Sequence, residues 1–192
     1  MRKQTIRREQ IYKSAARLFF LQGYNVTTMR QLARDVGVEQ GSLYNYYQSK
    51  KDLLYNIIKT GNQDLSENVE AALKSATTPS EQMSMALAAH VNHFLRRKEE
   101  VGIWSEIRNL DPEQQAELLK MNRAYVQKFR TILARGIKEG VFRPYDVRFI
   151  TMILLSIATP LAIWYRPDGS ITADQVVAWY VEYAMNSLRA DR

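Results

Sequence analysis

The chain has no cysteine, which excludes a disulfide framework, a thiolate zinc site, an iron–sulfur cluster and a cysteine nucleophile, and suits a reducing compartment. Histidine is nearly as scarce, with two in 192 residues. His90 and His93 stand one helical turn apart, but no third ligand sits at matching spacing, although Glu106 could reach, so no metal is expected. Glycine and proline number only 8 and 5, and no stretch alternates apolar and polar residues with a period of two. No repeat or low-complexity tract occurs, and 46% apolar residues exclude disorder. No glycine-rich phosphate loop, Glu-x-x-His pair or nucleophile with a local base is found, so neither catalysis nor a cofactor is expected. Long apolar runs are also few. Phe149 to Tyr165 is uncharged over 17 residues but contains Thr151, Ser156, Thr159 and Pro160, and it reads as a buried helix, not a membrane span. The start, MRKQTIRREQ, lacks the apolar core of a secretory signal, so the chain is expected to stay in the cytoplasm.

What is present is basic charge, unevenly placed. Residues 1–60 hold 11 Lys or Arg against 4 acids, whereas the remainder holds 16 of each, so the whole net charge of +7 belongs to the first third. This is the balance of a polyanion-binding module, residues 1–60, joined to a neutral module, residues 61–192, with another task.

The periodicity predicts an all-α chain of nine helices. Ile11, Ala15, Leu18 and Phe19 recur at helical spacing up to Gly23, giving a first helix over about 4–22. Thr28-Met29-Arg30-Gln31 has the form of a capping box opening a second helix, which ends at Gly37. Gln40 to Tyr47 predicts a third helix of two turns, and Ser49 with Asp52 opens a fourth, a connector running to about Leu73. Further helices are expected near 80–98, 102–109, 112–138 (opened by Asp111-Pro112, stopped by Gly140), 146–165 with a bend at Pro160, and 172–188.

Helices two and three, joined by Asp35-Val36-Gly37-Val38, form a helix-turn-helix whose second helix is placed to enter a major groove. Leu43 and Tyr47 lie four apart and turn toward Leu32, Ala33, Val36 and Phe19, which leaves Gln40, Gly41, Ser42, Tyr44, Asn45 and Tyr46 toward solvent or DNA. Gln and Asn can bond base edges, Gly41 allows close backbone approach, and Ser and Tyr hydroxyls reach phosphate oxygens. Thr28 and Lys50, at the starts of helices two and four, would add a phosphate clamp. Singly, each is an ordinary polar side chain; together with the charge split they point to double-stranded DNA.

The stretch TTMRQLARDVGVEQGSLYNYYQSKKDLL resembles the TetR family of bacterial transcriptional regulators over about residues 8–55. The resemblance implies a nine-helix fold, an N-terminal DNA-binding domain, a C-terminal domain holding a small-molecule effector, and a homodimer formed by the last two helices on a near-palindromic operator. It implies a repressor, nucleoid-associated when bound. Asn45 and Tyr47 stand where the family often has histidine or arginine and phenylalanine. More apolar surface than one helix face can hide then marks Phe149, Ile153, Ile157, Leu161, Val177, Tyr180 and Ala184 as candidate dimer contacts.

EIRNLDPE, GIKEGVFRPYDVR and WYRPDGSITADQV are similar to a branch of that family that senses acyl-coenzyme A thioesters. A thioester needs an apolar tunnel with cationic groups at its mouth. Arg108, Arg123 and Arg166 are candidates for the anionic end, with Trp104, Tyr125, Phe129, Met152, Leu155 and Trp164 as lining. From another class, the alternative is a helical ligand-binding scaffold whose basic third binds RNA or an anionic membrane. A membrane-surface helix wants Trp, Phe or Leu opposite its charges, whereas the third helix presents Gln40, Ser42 and Asn45, so no membrane partner is expected.

Overall fold

The computed structural model describes residues 2–190, with side chains from Arg7 onward; those of Arg2 and Lys3, part of the basic excess, lie outside the described ones. Its helices are α1 (Arg2–Gln22), α2 (Met29–Val36), α3 (Gln40–Leu43), α4 (Lys50–Leu73), α5 (Pro79–Arg96), α6 (Lys98–Gly102), a 3-10 segment (Ile103–Asn109), α7 (Pro112–Lys138), α8 (Val147–Ser156), α9 (Ala158–Trp164) and α10 (Ala173–Leu188). Counting the 3-10 segment with α6 and α9 with α8, the described residues form the nine expected helices. They contain no strand, only an isolated bridge between Phe142 and Arg189.

Local chemistry sets the boundaries. Capping boxes open α2, α5 and α10: Thr28, Thr78 and Thr172 each accept the amide three residues on, and Gln31, Glu81 and Gln175 return the bond. α7 stops where Gly140 takes φ +70°, and the Val141 and Phe142 amides both bond the Gly136 carbonyl. A Cβ on Gly136 would stand 2.1 Å from the Phe142 ring, so any larger residue there would have to displace that ring.

Three elements depart from the sequence expectation. α3 has one turn rather than two: Glu39 offers no side-chain cap, Gly41 weakens the helix, and the Tyr46 and Tyr47 amides both close on the Leu43 carbonyl at 2.9 and 3.0 Å. The sixth helix begins at Lys98 and passes into 3-10 form. The eighth is irregular at Ile157, whose backbone stays right-handed helical (φ −69°, ψ −27°), in the turn before Pro160, which has no amide for the Ser156 carbonyl and whose ring crowds that turn. The apolar run expected to be buried overlaps Val147–Trp164, which is long and apolar enough to cross a membrane, yet only 22% of that stretch is buried within the chain.

The chain divides into two compact units, Met1–Asn62 with Glu99–Leu119, and Gln63–Lys98 with Lys120–Arg192. The first buries Ile11, Phe19, Leu32, Leu43, Leu53, Leu54, Ile57, Ile103 and Leu118. The second has a continuous core from Leu65, Met83, Leu87, Val91, Phe129, Leu133, Phe142, Leu154, Val176, Tyr180 and Leu188.

Candidate nucleic-acid interface

In the first unit, α2 leaves its cap and ends at Gly37, whose φ of +72° lets its amide and that of Val38 close on Ala33 and Arg34 carbonyls. α3 is too short to hold its place by its own hydrogen bonds. Leu43, fully buried, and Tyr47, nearly so, anchor it beside Leu32 and Ala33, likewise buried. The Arg8 guanidinium stacks over the Tyr47 ring at 5.3 Å. Gln40, Gly41, Tyr44 and Asn45 are exposed, and Ser42 and Tyr46 half-buried, so the expected hydrogen-bonding face points outward.

Around it the charges sort into spent and unspent ones. Asp35 accepts from Ser14 and Arg17, both at 2.6 Å, and these bonds hold its carboxyl below the usual range while tying α1 to α2. Lys13 pairs with Glu9 at 2.7 Å and Arg8 lies over the Tyr47 ring, whereas Arg30 and Arg34, four apart on α2, have exposed side chains. Arg30 and Arg34 are not among the residues expected at the interface, although their spacing is readable in the sequence. Thr28 is exposed, its hydroxyl engaged in the cap. Lys50 differs from expectation: its ammonium donates to the carbonyls of Tyr24, Asn25 and Thr27 at 2.8, 3.2 and 2.8 Å.

Glu99–Leu119 folds with this unit. Tyr12 donates to Glu100 at 2.7 Å, Lys51 pairs with Asp111 and Lys59 with Glu117, each at 2.7 Å, and a Cβ on Gly102 would meet the Phe20 ring at 2.5 Å. Trp104 and Arg108, expected in the effector pocket, belong here, half-buried and exposed respectively.

The second unit gathers Tyr125, Phe129 and Leu155 around His90. Buried His90 takes the Tyr125 hydroxyl on Nδ1 at 2.7 Å and donates from Nε2 to the Leu155 carbonyl at 3.1 Å, with the Phe94 and Phe129 rings 4.6 and 5.9 Å away. Burial pushes its pKa down to about 4, so it stays neutral. Among the described residues no group of three metal-binding side chains occurs. Arg123 is exposed; Trp164 and Arg166 line an open cavity of about 440 Å³ with Ile163, Tyr165, Gly169 and Ile171. Met152, expected in the pocket, is 58% exposed.

Of the expected dimer contacts, Phe149 and Ile153 are exposed and Ile157, Leu161 and Val177 half-buried. Tyr180 and Ala184 are corrected to the core: both are buried, and the Tyr180 hydroxyl donates to the Leu154 carbonyl at 2.5 Å. The large apolar residues that α10 turns outward are Trp179 and Tyr183, 53% and 70% exposed, four apart on one face.

Comparison with known proteins agrees with this layout. Residues 11–57 match the family described as bacterial regulatory proteins of the tetR family, and residues 76–188 the tetracyclin repressor-like C-terminal domain. The HTH-type transcriptional repressor KstR2 of Mycolicibacterium smegmatis is 26% identical over 185 residues, 95% of this chain and 90% of that protein. Among solved structures, the regulator PfmR from Thermus thermophilus superposes with a TM-score of 0.83 at 30% identity, covering 95% of this chain and 99% of its own. AibR in complex with isovaleryl coenzyme A and operator DNA gives 0.83 at 25% identity, covering 92% and 97%.

Proposed function

The chain belongs to the TetR family of bacterial regulatory proteins, and from that premise we propose that it is a repressor acting as a two-fold dimer on a near-palindromic operator, with its DNA affinity set by an acyl-coenzyme A thioester. In this reading residues 1–60 bind DNA, α4 connects as far as about residue 73, and residues 61–192 bind the effector and dimerise. The observation that carries DNA binding is an outward face of Gln40, Gly41, Tyr44 and Asn45 on a buried Leu43–Tyr47 anchor, flanked by exposed Arg8, Arg30 and Arg34. Gln40 and Asn45 read base edges, while Ser42, Tyr44, Tyr46 and the start of α2 at Thr28 hold phosphates. The same face disfavours the scaffold alternative, since it offers hydrogen-bonding groups and no apolar wedge for a membrane. The protein works in the bacterial cytoplasm, on the nucleoid when bound.

Dimerisation is supported by the unsheltered apolar side chains of α8 to α10: Phe149, Met152, Ile153, Trp164, Trp179 and Tyr183 are all exposed in the single chain. Such a patch on a charged protein calls for a partner, and a two-fold interface repeats one patch on both copies.

For the effector, the acyl chain enters between α5, α7 and α8 beside Tyr125, Phe129 and Leu155, and the phosphates meet Arg123 or Arg166. Trp104 and Arg108 fold with the first unit and are left out of this site. The likeness to AibR, solved with a coenzyme A thioester, supports the ligand class. Calorimetry with a panel of acyl-coenzyme A thioesters and their free acids tests it, alongside operator titrations. A coupling of ~1 to 3 kcal/mol weakens operator binding ~5- to 150-fold, and by linkage the operator weakens thioester binding equally. Arg123→Ala with Arg166→Ala erases the preference for thioester over acid. A thioester that fails to bind, or binds without changing operator affinity, overturns the effector claim and leaves the DNA claim standing.

A further inference from the structure

Three successive carbonyls at the end of α8 are held by side chains. Ile153 accepts from Ser156 at 3.1 Å, Leu154 from Tyr180 of α10 at 2.5 Å, and Leu155 from His90 of α5 at 3.1 Å. The next carbonyl, that of Ser156, has Pro160 four residues on, which offers no amide. This turn therefore takes its position from α5 and α10 as well as from its own helix. A carbonyl only accepts, so the His90 ring carries its proton on Nε2, and Nδ1 accepts from the Tyr125 hydroxyl, 2.7 Å away on α7. The result is one relay, from Tyr125 through His90 to Leu155, that joins α7, α5 and α8 by polar atoms inside an apolar core.

The relay lies across the place where the acyl chain is proposed to enter, between α5, α7 and α8. The rings there are already in contact: His90 stands 4.6 Å from Phe94 and 5.9 Å from Phe129, and Phe129 5.4 Å from Tyr125. A chain of methylenes can pass only by separating these helices, which pulls on the two hydrogen bonds that join them. We propose that the Tyr125–His90–Leu155 relay is the latch of the effector site: it holds α5, α7 and the last turn of α8 in the arrangement that binds operator, and the acyl chain enters by opening it. Tyr125 and His90 act as positioning residues for α8, whose outer side carries the exposed Phe149, Met152 and Ile153. A shift of that turn moves the face through which two copies are proposed to meet, and with it the spacing of their recognition elements.

The inference rests on the effector reading, and its test separates the two. Tyr125→Phe keeps the ring and removes the hydroxyl; His90→Leu removes both bonds. Each, after far-UV melting shows it folded, is titrated with acetyl-, isovaleryl- and octanoyl-coenzyme A, alone and in competition with an operator duplex selected by binding. A ligand that needs the open arrangement binds with its intrinsic affinity reduced to the fraction open, so loosening the latch tightens binding. Tyr125→Phe binds the preferred thioester ~2- to 10-fold more tightly, the equilibrium worth of one buried hydrogen bond, and releases operator at a correspondingly lower thioester concentration. Operator affinity without thioester falls by less than that factor, because the closed arrangement still predominates. Amide hydrogen exchange over residues 153–161 of the free variant quickens. A hydroxyl that only supports the fold, or that contacts the ligand, gives the opposite sign, so weaker thioester binding by Tyr125→Phe overturns the proposal. Unchanged thioester affinity, or exchange over residues 153–161 as in the unmodified protein, overturns it too. Should Tyr125→Phe not fold, His90→Leu carries the same expectations, and failure of both to fold overturns the proposal. Failure of the unmodified protein to bind any of the three thioesters refutes the effector reading instead, and the exchange measurement still decides whether the relay holds α8.

Discussion

Acid should weaken the second unit through His90. The ring is buried, gives its Nε2 proton to the Leu155 carbonyl and takes the Tyr125 hydroxyl on Nδ1. A second ring proton would point Nδ1–H at a hydroxyl that is itself donating, amid Phe94 and Phe129, and neither hydrogen-bond partner of the ring is a carboxylate. The folded pKa falls to about 4 from 6.5, with burial as the first cause and His93 a minor one. Between those values the unfolded chain binds a proton that the folded chain refuses, so stability declines as pH falls from 6.5 and the loss is complete below about 4. The interval corresponds to about 3 kcal/mol in full, of which about 2 kcal/mol is lost by pH 5. That is a large part of the ~5 to 15 kcal/mol by which domains are stable. Urea unfolding of the unmodified protein and His90→Gln at pH 7 and pH 5 isolates this group from the carboxylates. The variant is weaker at pH 7 by ~1 to 3 kcal/mol for the lost bond and packing, and the gap narrows by about 2 kcal/mol at pH 5. An equal gap at both pH values would refute the reasoning.

Gln40→Ala or Asn45→Ala should cost ~1 to 3 kcal/mol and relax preference at one half-site position, whereas Tyr44→Phe weakens all duplexes evenly; binding to a panel of single-base operator variants tells them apart. Phe149→Glu with Tyr183→Glu places charges on the exposed apolar face and should give a folded monomer by sedimentation, with operator affinity lost; a dimer that persists puts the interface elsewhere. Gly136→Ala should destabilise by ~1 to 3 kcal/mol in denaturant titration, because its methyl group would overlap the Phe142 ring. A neutral result would mean that Phe142 can turn aside.

Much of this architecture is legible in residue order because caps and stops are local. Asp111-Pro112 and Gly140 bracket α7 closely, and Thr28 with Gln31 marks α2 as the structure has it. What escapes is set by distant partners. A period of 3.6 shows that Tyr180 and Ala184 share an apolar face, but not whether the face meets the chain's own core or another copy; the core takes these two and leaves Trp179 and Tyr183 outside. Lys50 carries the residue type of a phosphate ligand, and only the folded loop, more than twenty residues upstream, reveals where its ammonium goes.

The central claim, a sequence-specific DNA-binding regulator, is tested most directly by selecting duplexes from a random pool with the purified protein and titrating the enriched sequence by fluorescence anisotropy. The account predicts a near-palindrome with half-site centres ~10 base pairs apart, and affinity that falls steeply with salt while staying well above that for random duplex. A pool that yields no common sequence, or equal affinity for selected and random DNA, would contradict it.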